Sequence, residues 1–421
     1  MKEWDMTPPP LSDLGDHDVF RLGNHLVGKR VALMVTGGIA AMKAPLIARS
    51  LRQQGAEVVA YISSEALRYT TTDALEWSTT HSVVAQLSAH SEHLSDSTPF
   101  DLFLVAPATY NTINKMANGI ADGVITTTLG SAIGRMEQGK SKVLIAPTMH
   151  NSLHNTILTE SLKKLKAMGV QIIPPREANG KHNLPHEKTI TAAVCRAASS
   201  SSLKDVPILV TGGPTPVPID NVRRIVNRFR GKLGIKILEE LYLRGADVFL
   251  IHGDGASIPP KHLPYVVAKT YDDYYHKVMT ELGQKNYAIG IFSAGVADYK
   301  PETTRQGKMP SGKSFSLNLV PTVKVIDEVK KRFPHLFMLT FKYQENIFHD
   351  ELMKIAYDRL NSGYPAIVAN RGEELGSNGE QIAHLVTRVG KTRKFVGKKE
   401  IAIGIADYLE DINPSKKQYN N

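Results

Sequence analysis

The chain has very few of the features that place a protein outside the cell or within a membrane. It contains one cysteine, Cys195, among 421 residues, so it cannot form an intrachain disulfide framework and suits a reducing compartment. No segment approaches the roughly 20 consecutive apolar residues that a membrane-spanning helix requires. The N-terminus is polar and acidic before Phe20, unlike the basic and then apolar order of a secretory signal. We therefore predict a cytoplasmic protein that does not enter the membrane.

Aromatic residues are also scarce, at 7% of the chain, although the formal net charge is +10. The lysines and arginines are spread along the sequence, and no helix-turn-helix, zinc-finger or RNP-type pattern is present. A basic surplus also suits proteins with phosphorylated ligands, because it steers anions toward their site. We therefore predict phosphorylated small molecules as ligands and no nucleic-acid partner.

The length of the chain favours two domains, because 421 residues exceed what one ordinary hydrophobic core organises. Short apolar runs alternate with helical segments, which is the pattern of βαβ units in a parallel sheet. The pattern runs twice and is interrupted near Ser199–Ser202. The sequence predicts two tandem α/β domains with open, parallel, Rossmann-like sheets. The predicted divisions are an N-terminal arm (1–28), a first domain (29–196), a linker (197–206), a second domain (207–412) and a disordered tail (413–421).

Each domain opens with a short apolar strand that runs into the sequence Val-Thr-Gly-Gly, at 35–38 and again at 210–213. A glycine turn between a strand and a helix lets backbone amides and the positive helix end approach a phosphate, which a side chain would obstruct. The first turn lacks the full dinucleotide fingerprint, and no acidic residue of the ribose-binding kind follows it. The two turns predict phosphate-binding sites without specifying the ligands.

Three segments of the first domain, Thr36–Lys43, Pro107–Thr112 and Pro147–His150, resemble the signature segments of the flavin-binding, homo-oligomeric cysteine decarboxylase family. The last two follow predicted strands, at the edge where open α/β sheets bind ligands. In that family a histidine lies eight residues before the aspartate that opens the third strand, and the same count from Asp101 reaches His93.

This resemblance implies FMN as the cofactor of the first domain. It implies that His93 and Asn111 handle the substrate carboxylate and the proton transfers. The residues that it implies around FMN are Gly37, Gly38, Ser63, Thr109 and Met149.

The first domain departs from the family at one chemically important place. Phosphopantothenoylcysteine decarboxylases carry a cysteine in a flap after the fifth strand, and it helps to reduce the enethiol that follows loss of CO₂. The corresponding segment here, Arg176–Pro185, has no cysteine, and Cys195 falls in an apolar helical pattern that predicts burial. Two hypotheses therefore stay open: the domain is a decarboxylase, or it is a scaffold, a redox enzyme for another substrate or a flavin-binding regulatory module.

The second domain resembles the phosphopantothenate–cysteine ligases. The resemblance lies in the basic segment Val217–Gly234 and in Ser293–Lys300, and Lys308 stands ten residues after Asp298, as the family's lysine does. It implies that Asn227 holds the activated acyl intermediate and that Lys308 serves the cysteine half-reaction. The family's Ser-Ser before Gly-Lys is Phe229-Arg230 here. The implied CTP site comprises Gly212, Gly213, Asp298, Phe341 and Lys342.

Together the two resemblances cover residues 29–410 in the order of the bifunctional phosphopantothenoylcysteine decarboxylase/phosphopantothenate–cysteine ligases of coenzyme A biosynthesis, a flavoprotein fold followed by a ligase fold. They imply CTP-dependent ligation of 4′-phosphopantothenate with cysteine, then FMN-dependent decarboxylation to 4′-phosphopantetheine. Mg²⁺ would screen the CTP phosphates, through residues that the sequence does not specify. A homo-oligomer is expected, because the family's flavin domains form trimers and its ligase domains form dimers, which close as a dodecamer. Ligase activity alone is the alternative.

Overall fold

The structure is a computed structural model, and it describes residues 5–94, 97–312, 314–388 and 392–412. The chain divides into two compact units, Met1–Ser199 and Ser200–Asn421. Each unit is an α/β domain, so the predicted tandem architecture is confirmed. The tail predicted at 413–421 lies outside the described residues.

The first unit alternates strands and helices. Residues 5–29 form turns and extended chain, and Leu26 is fully buried where its amide bonds the carbonyl of Gln54 at 2.9 Å. The elements that follow are β1 (Arg30–Val35), α1 (Ala44–Arg52), β2 (Glu57–Ile62), α2 (Thr72–Thr79), β3 (Leu102–Ala108), α3 (Tyr110–Ala117), α4 (Val124–Glu137), β4 (Lys142–Pro147), β5 (Met149–His150), α5 (Thr156–Ala167), β6 (Gln171–Ile172), β7 (Arg176–Ala178), β8 (Lys181–Asn183) and α6 (Glu187–Ala198).

The main sheet of the first unit has five parallel strands in the order β2-β1-β3-β4-β6. β3 is buried along its whole length, which explains why it reads as a continuous apolar run rather than an alternating one. The strand order reverses direction between β1 and β3, so this is the topological switch point where such sheets bind ligands. Cys195 is fully buried in α6, as the apolar pattern predicts.

The amphipathic stretch that follows the first glycine turn, residues 39–53, has two parts. A 3-10 turn covers Ile39–Lys43, and α1 begins only at Ala44. Pro45 lies in the first turn of α1, where its missing amide hydrogen is not needed and its fixed φ suits the helix. The regular helix therefore begins five residues later than the sequence pattern indicates.

The second unit contains one large sheet, two small β-ribbons and five helices in its described part. Its elements are β9 (Pro207–Gly212), β10 (Val217–Pro218), β11 (Arg224–Ile225), α7 (Lys232–Leu243), β12 (Asp247–Gly253), β13 (Tyr265–Ala268), α8 (Tyr271–Gln284), β14 (Ile289–Phe292), β15 (Tyr299–Pro301), β16 (Leu319–Pro321), α9 (Val325–Arg332), β17 (Phe337–Gln344), α10 (His349–Asn361), β18 (Ala366–Arg371), β19 (Ile382–Thr387), β20 (Arg393–Val396) and α11 (Gly397–Ile412).

The large sheet has eight strands in the order β13-β12-β9-β14-β17-β18-β19-β20. The first six are parallel in the doubly wound arrangement, with a switch point between β9 and β14. The last two run antiparallel, so the prediction of a parallel sheet is wrong at this edge. An antiparallel edge on an otherwise parallel sheet is common, because a short connection reverses the chain without a crossover helix.

None of the helices in the described part of the chain has the length and the apolar composition that a membrane crossing demands.

Candidate active sites

Hydroxyl groups organise the switch point of the first sheet. Thr36 follows β1, and its Oγ1 donates to the carbonyl of Pro107 in β3 at 2.7 Å. The amide of Thr109 donates to Thr36 Oγ1 at 3.3 Å, and Thr109 Oγ1 caps the N-terminus of α3 by accepting from the amide of Thr112 at 3.5 Å. The ends of β1 and β3 are thus tied together beside the positive end of a helix, which favours an anionic ligand.

Close packing requires the first glycine of this turn, Gly37, and backbone conformation favours the second, Gly38. A Cβ on Gly37 would lie 2.5 Å from the Cβ of Glu65, so the loop after β2 occupies the space that a side chain would need. Gly38 has φ 153, and a Cβ there would stand 3.5 Å from Thr109 Cγ2. The amide of Ser63 bonds the carbonyl of Val35 at 3.1 Å. The structure therefore brings Gly37, Gly38, Ser63 and Thr109 to one end of the sheet.

His93 lies in a loop that β2 anchors. The Tyr61 hydroxyl of β2 donates to the carbonyl of the preceding residue, Glu92, at 2.8 Å, and burial raises the pKa of Tyr61 to about 12, which keeps this phenol a donor. His93 Nδ1 is buried and has no hydrogen-bond partner among the residues that the structure describes. A buried nitrogen without a partner costs free energy, so this atom fits a position that a bound ligand satisfies.

Asn111 and Met149 occupy different settings. Asn111 lies in the first turn of α3, and its side chain is exposed. Met149 is buried at the start of β5, which follows β4 and pairs with β8 of the flap, opposite His182. Met149 therefore lies where the flap joins the body of the first unit.

The flap is the β7–β8 hairpin, and its turn is Asn179-Gly180, both with positive φ. The flap of this protein contains the imidazole of His182 and no cysteine, whereas the flap of the resembling family contains a cysteine thiol. His182 Nδ1 stands 3.1 Å from His154 Nδ1, and Glu177 Oε1 lies 3.7 Å from His182 Nε2. No motif in the sequence marks His182, because residues 154 and 182 become neighbours only when β8 pairs beside β5.

Backbone-to-backbone packing of glycines forms the switch point of the second sheet. Gly213 has φ 77, and a Cβ on it would lie 2.6 Å from the carbonyl oxygen of Gly253. A Cβ on Gly212 would lie 3.1 Å from the Cα of Gly234 in α7. A side chain is excluded at Gly213 and would crowd α7 at Gly212, which leaves main-chain amides at the carboxyl end of β9, as a phosphate site requires.

Asn227 is fixed onto this switch point. Its Nδ2 donates to the carbonyl of Gly295 at 2.6 Å, and its Oδ1 accepts from the amide of Phe229 at 3.2 Å. The amide of Gly295 in turn donates to the carbonyl of Gly213 at 2.9 Å. The structure thus brings the predicted residues Asn227 and Gly213 to the same place through one glycine after β14.

Asp220 joins the Asn227 loop to the segment of Lys308. This carboxylate is buried and accepts from the amide of Arg223 at 2.6 Å, the guanidinium of Arg223 at 2.6 Å and the amide of Met309 at 3.0 Å. The backbone hydrogen bond from Met309, together with those from Arg223, holds the pKa of Asp220 well below its usual range. The hydrogen bonds from Arg223 and Met309 to Asp220 form a clamp, the Asp220 clamp, between the two segments. Lys308 precedes Met309 and is exposed, so the clamp fixes its backbone and leaves its ammonium free to reach a ligand. No motif or spacing in the sequence marks Asp220.

The remaining predicted nucleotide residues lie in a basic cluster at the ends of β14 and β17. Asp298 is ion-paired with Lys324, and the carbonyl of Phe341 accepts from Arg359 Nη1 at 3.1 Å. Burial, together with the positive charges of Arg359 and Lys324, lowers the pKa of Lys342. A bound anion stabilises the positive charge of a partly buried lysine that lies among other cations. This cluster therefore favours a polyphosphate.

The fold and the two family models that match it define the class of the protein, a flavoprotein domain followed by a ligase-type domain. A family model described as "Flavoprotein" matches residues 20–199, and one described as "DNA/pantothenate metabolism flavoprotein C-terminal domain" matches residues 203–412. Both matches follow the division of the structure into two units.

Curated relatives match both units at once. The chain is 33% identical over 391 residues to the "Coenzyme A biosynthesis bifunctional protein CoaBC" of Thermococcus kodakarensis, covering 91% of this chain and 96% of the relative. It is 28% identical over 390 residues to the protein of the same name from Methanocaldococcus jannaschii, covering 92% and 94%. Among solved structures, a C-terminal domain of a CoaBC protein matches 51% of this chain and 100% of its own length, with 26% identity and a TM-score of 0.43. The chain belongs to the family of bifunctional coenzyme A biosynthesis proteins CoaBC, and the predicted resemblance is confirmed.

Proposed function

We propose that this enzyme of coenzyme A biosynthesis joins 4′-phosphopantothenate to cysteine in its second unit and decarboxylates the product to 4′-phosphopantetheine in its first. The observation that carries the proposal is the match to bifunctional relatives across both units, over 91% of this chain. A ligand site at the switch point of each sheet supports it, because the two reactions need one site each.

We infer that CTP activates the carboxylate in the second unit. The phosphates would lie on the amides around Gly212 and Gly213, near the basic cluster of Lys342, Lys324 and Arg359. The carboxylate attacks the α-phosphate, forming an acyl-cytidylate and releasing pyrophosphate, and the cysteine amine then displaces CMP to form the amide. Mg²⁺ would screen the phosphate charges.

The nucleotide chemistry predicts specific products. With CTP, 4′-phosphopantothenate, cysteine and Mg²⁺, phosphorus NMR should show CMP and pyrophosphate appearing in equal amounts, and chelation of Mg²⁺ should stop the reaction. The same protein with ATP in place of CTP is the matched control. Release of CDP and inorganic phosphate would instead mean an acyl-phosphate, and the proposed activation would be wrong.

We infer that FMN is the flavin of the first unit. The five strands have the order of flavin-binding doubly wound sheets, whose cofactor sits at the switch point that Thr36 and Thr109 form here. The glycine turn at 37–38 fits a phosphate at this edge, and the buried Nδ1 of His93, which has no partner among the described residues, fits a bound ligand. When bound, FMN supplies the two-electron redox chemistry. Beside it His93 and Asn111 would orient the substrate carboxylate, and His93 would hold a proton.

The flap bears on the two hypotheses for the first unit in opposite ways. The flap segment Arg176–Pro185 has no cysteine, and this favours the alternative that only the ligase is active. Decarboxylation would require another group on the flap that can donate a proton. The imidazole of His182, which contacts His154, is such a group. We therefore retain decarboxylation as the proposed function and ligase activity alone as the second candidate.

Self-association and cellular location belong to the proposal as well. Ile39, Met42 and Leu46 follow the first glycine turn and expose 69%, 59% and 57% of their surfaces. An apolar patch of this kind supports a subunit interface next to the flavin site, as the predicted homo-oligomer requires. A cytoplasmic location stays a prediction.

A further inference from the structure

Two histidines and one glutamate form a cluster in the second unit, and neither candidate reaction uses it. His349 is the first residue of α10, Glu374 lies in the loop after β18, and His384 lies in the middle of β19. Each offers one ligand atom, and the three atoms lie within 4.8 Å of one another. Three separate elements therefore converge on one point.

The glutamate carboxylate lies between the two imidazoles. Glu374 Oε1 is 2.8 Å from His349 Nδ1, and Glu374 Oε2 is 2.9 Å from His384 Nε2. The ring centroids are 4.8 Å apart, with an angle of 71° between the planes. Both ring nitrogens therefore approach the same carboxylate from different directions, which gathers three potential ligand atoms in one place.

The cluster is buried on one side and open on the other. The side chain of His384 is 9% exposed, that of Glu374 is 17% exposed and that of His349 is 41% exposed. The neighbours of His384 on the same face of β19, Ile382 and Val386, are buried and apolar. An imidazole among apolar side chains needs a strong partner, while the exposed His349 leaves a path for an ion and room for a water molecule.

We propose that His349, Glu374 and His384 bind a divalent transition-metal ion, with Zn²⁺ as the ion that matches the ligands best. Two imidazole nitrogens and one carboxylate oxygen form an established zinc ligand set that leaves a fourth position for water. Mg²⁺ and Ca²⁺ prefer oxygen ligands throughout, so this site is chemically distinct from the one that Mg²⁺ would share with CTP. Tetrahedral zinc separates its ligand atoms by about 3.3 Å, so small side-chain rotations would suffice.

The ion would stabilise the two segments that support the Asn227 loop, the one before His349 and the one that contains Glu374. The segment before His349 contacts that loop, since Arg228 Nη2 is 3.5 Å from Glu345 Oε1 and the rings of Phe229 and Tyr343 are 5.3 Å apart. The amide of Asn346 donates to Glu373, the residue before Glu374, at 2.6 Å. Zn²⁺ at the cluster would therefore link both segments to β19, on which His384 lies.

The test is a metal titration of the full-length chain, without a histidine tag and stripped with a chelator. Co²⁺ should produce the visible absorption of a tetrahedral site, Zn²⁺ should quench it at one ion per chain, and Mg²⁺ should not. His349→Gln and His384→Gln should each weaken Co²⁺ and Zn²⁺ binding by roughly 100-fold or more, whereas His335→Gln, at an exposed histidine of the same unit, should not. Glutamine can still hydrogen-bond to Glu374, so the variants separate metal binding from that bond.

Thermal unfolding provides a second readout. Zn²⁺ should raise the Tm of the wild-type protein and of His335→Gln, and it should leave the Tm of His349→Gln unchanged. His349 is the more exposed ligand, so this variant tests the site even if His384→Gln fails to fold. Two results would show that the cluster is only a hydrogen-bonded triad. One is the absence of stoichiometric Co²⁺ or Zn²⁺ binding by the wild type, and the other is metal binding by both glutamine variants as tight as that of the wild type.

Discussion

Replacement of Lys308 by glutamine should slow amide formation by about 10²- to 10³-fold while acyl-cytidylate still forms. Lys308 is exposed beside the Asp220 clamp, and its ammonium can offset the charge of the activated intermediate as cysteine attacks. Loss of one such positioned charge costs about 10²- to 10³-fold in rate. The glutamine keeps the backbone hydrogen bond between Met309 and Asp220, so the segment should stay in place.

The two half-reactions can be measured separately for this variant. Pyrophosphate release in one turnover without cysteine reports activation, and the CMP released after cysteine is added reports amide formation. Lys261→Gln, which removes the same charge at another exposed position of the unit, should retain both. If Lys308→Gln lost both steps, the lysine would act in activation, and its assigned role would be incorrect.

Replacement of His93 by asparagine should reduce decarboxylation by about 10²- to 10⁴-fold, the contribution of a positioned acid–base group. The ligase reaction should be unaffected, because His93 lies in the first unit and the CTP residues lie in the second. FMN content should also persist, since the switch-point contacts among Thr36, Pro107 and Thr109 do not involve His93. The measurement is CO₂ release from supplied phosphopantothenoylcysteine, beside the flavin absorbance of the same sample.

His90→Asn is the matched control, because His90 lies three residues earlier in the same loop and is exposed. It should decarboxylate at the wild-type rate. Full decarboxylase activity in His93→Asn would remove His93 from the mechanism. Loss of FMN from that variant would mean that His93 binds the cofactor rather than moving protons.

The sequence predicts the interior of both sheets well, because their strands are buried on both faces and read as apolar runs ended by glycine turns. β1 and β9 are such strands, and both lead to the ligand edges. The antiparallel pair β19–β20 escaped prediction, because β20 is four residues long, half-exposed and charged at its start. Short edge strands carry little of the periodic signal on which strand prediction depends.

Candidate site residues were predictable only where a local motif or a fixed spacing marks them. Gly37, Asn227 and Lys308 are of this kind. His182 with His154, and the cluster of His349 and His384, depend on pairing between strands and helices that are distant in sequence. A lone histidine in a sequence carries no sign of its partner, so the structure alone brings these groups together.

One product assay tests the bifunctional account most directly. The purified protein is incubated with 4′-phosphopantothenate, cysteine, CTP and Mg²⁺, and pyrophosphate, CO₂ and 4′-phosphopantetheine are each quantified. The account predicts one CO₂ and one 4′-phosphopantetheine for every pyrophosphate released. Pyrophosphate and accumulated phosphopantothenoylcysteine without CO₂ would contradict it and leave an enzyme with ligase activity alone.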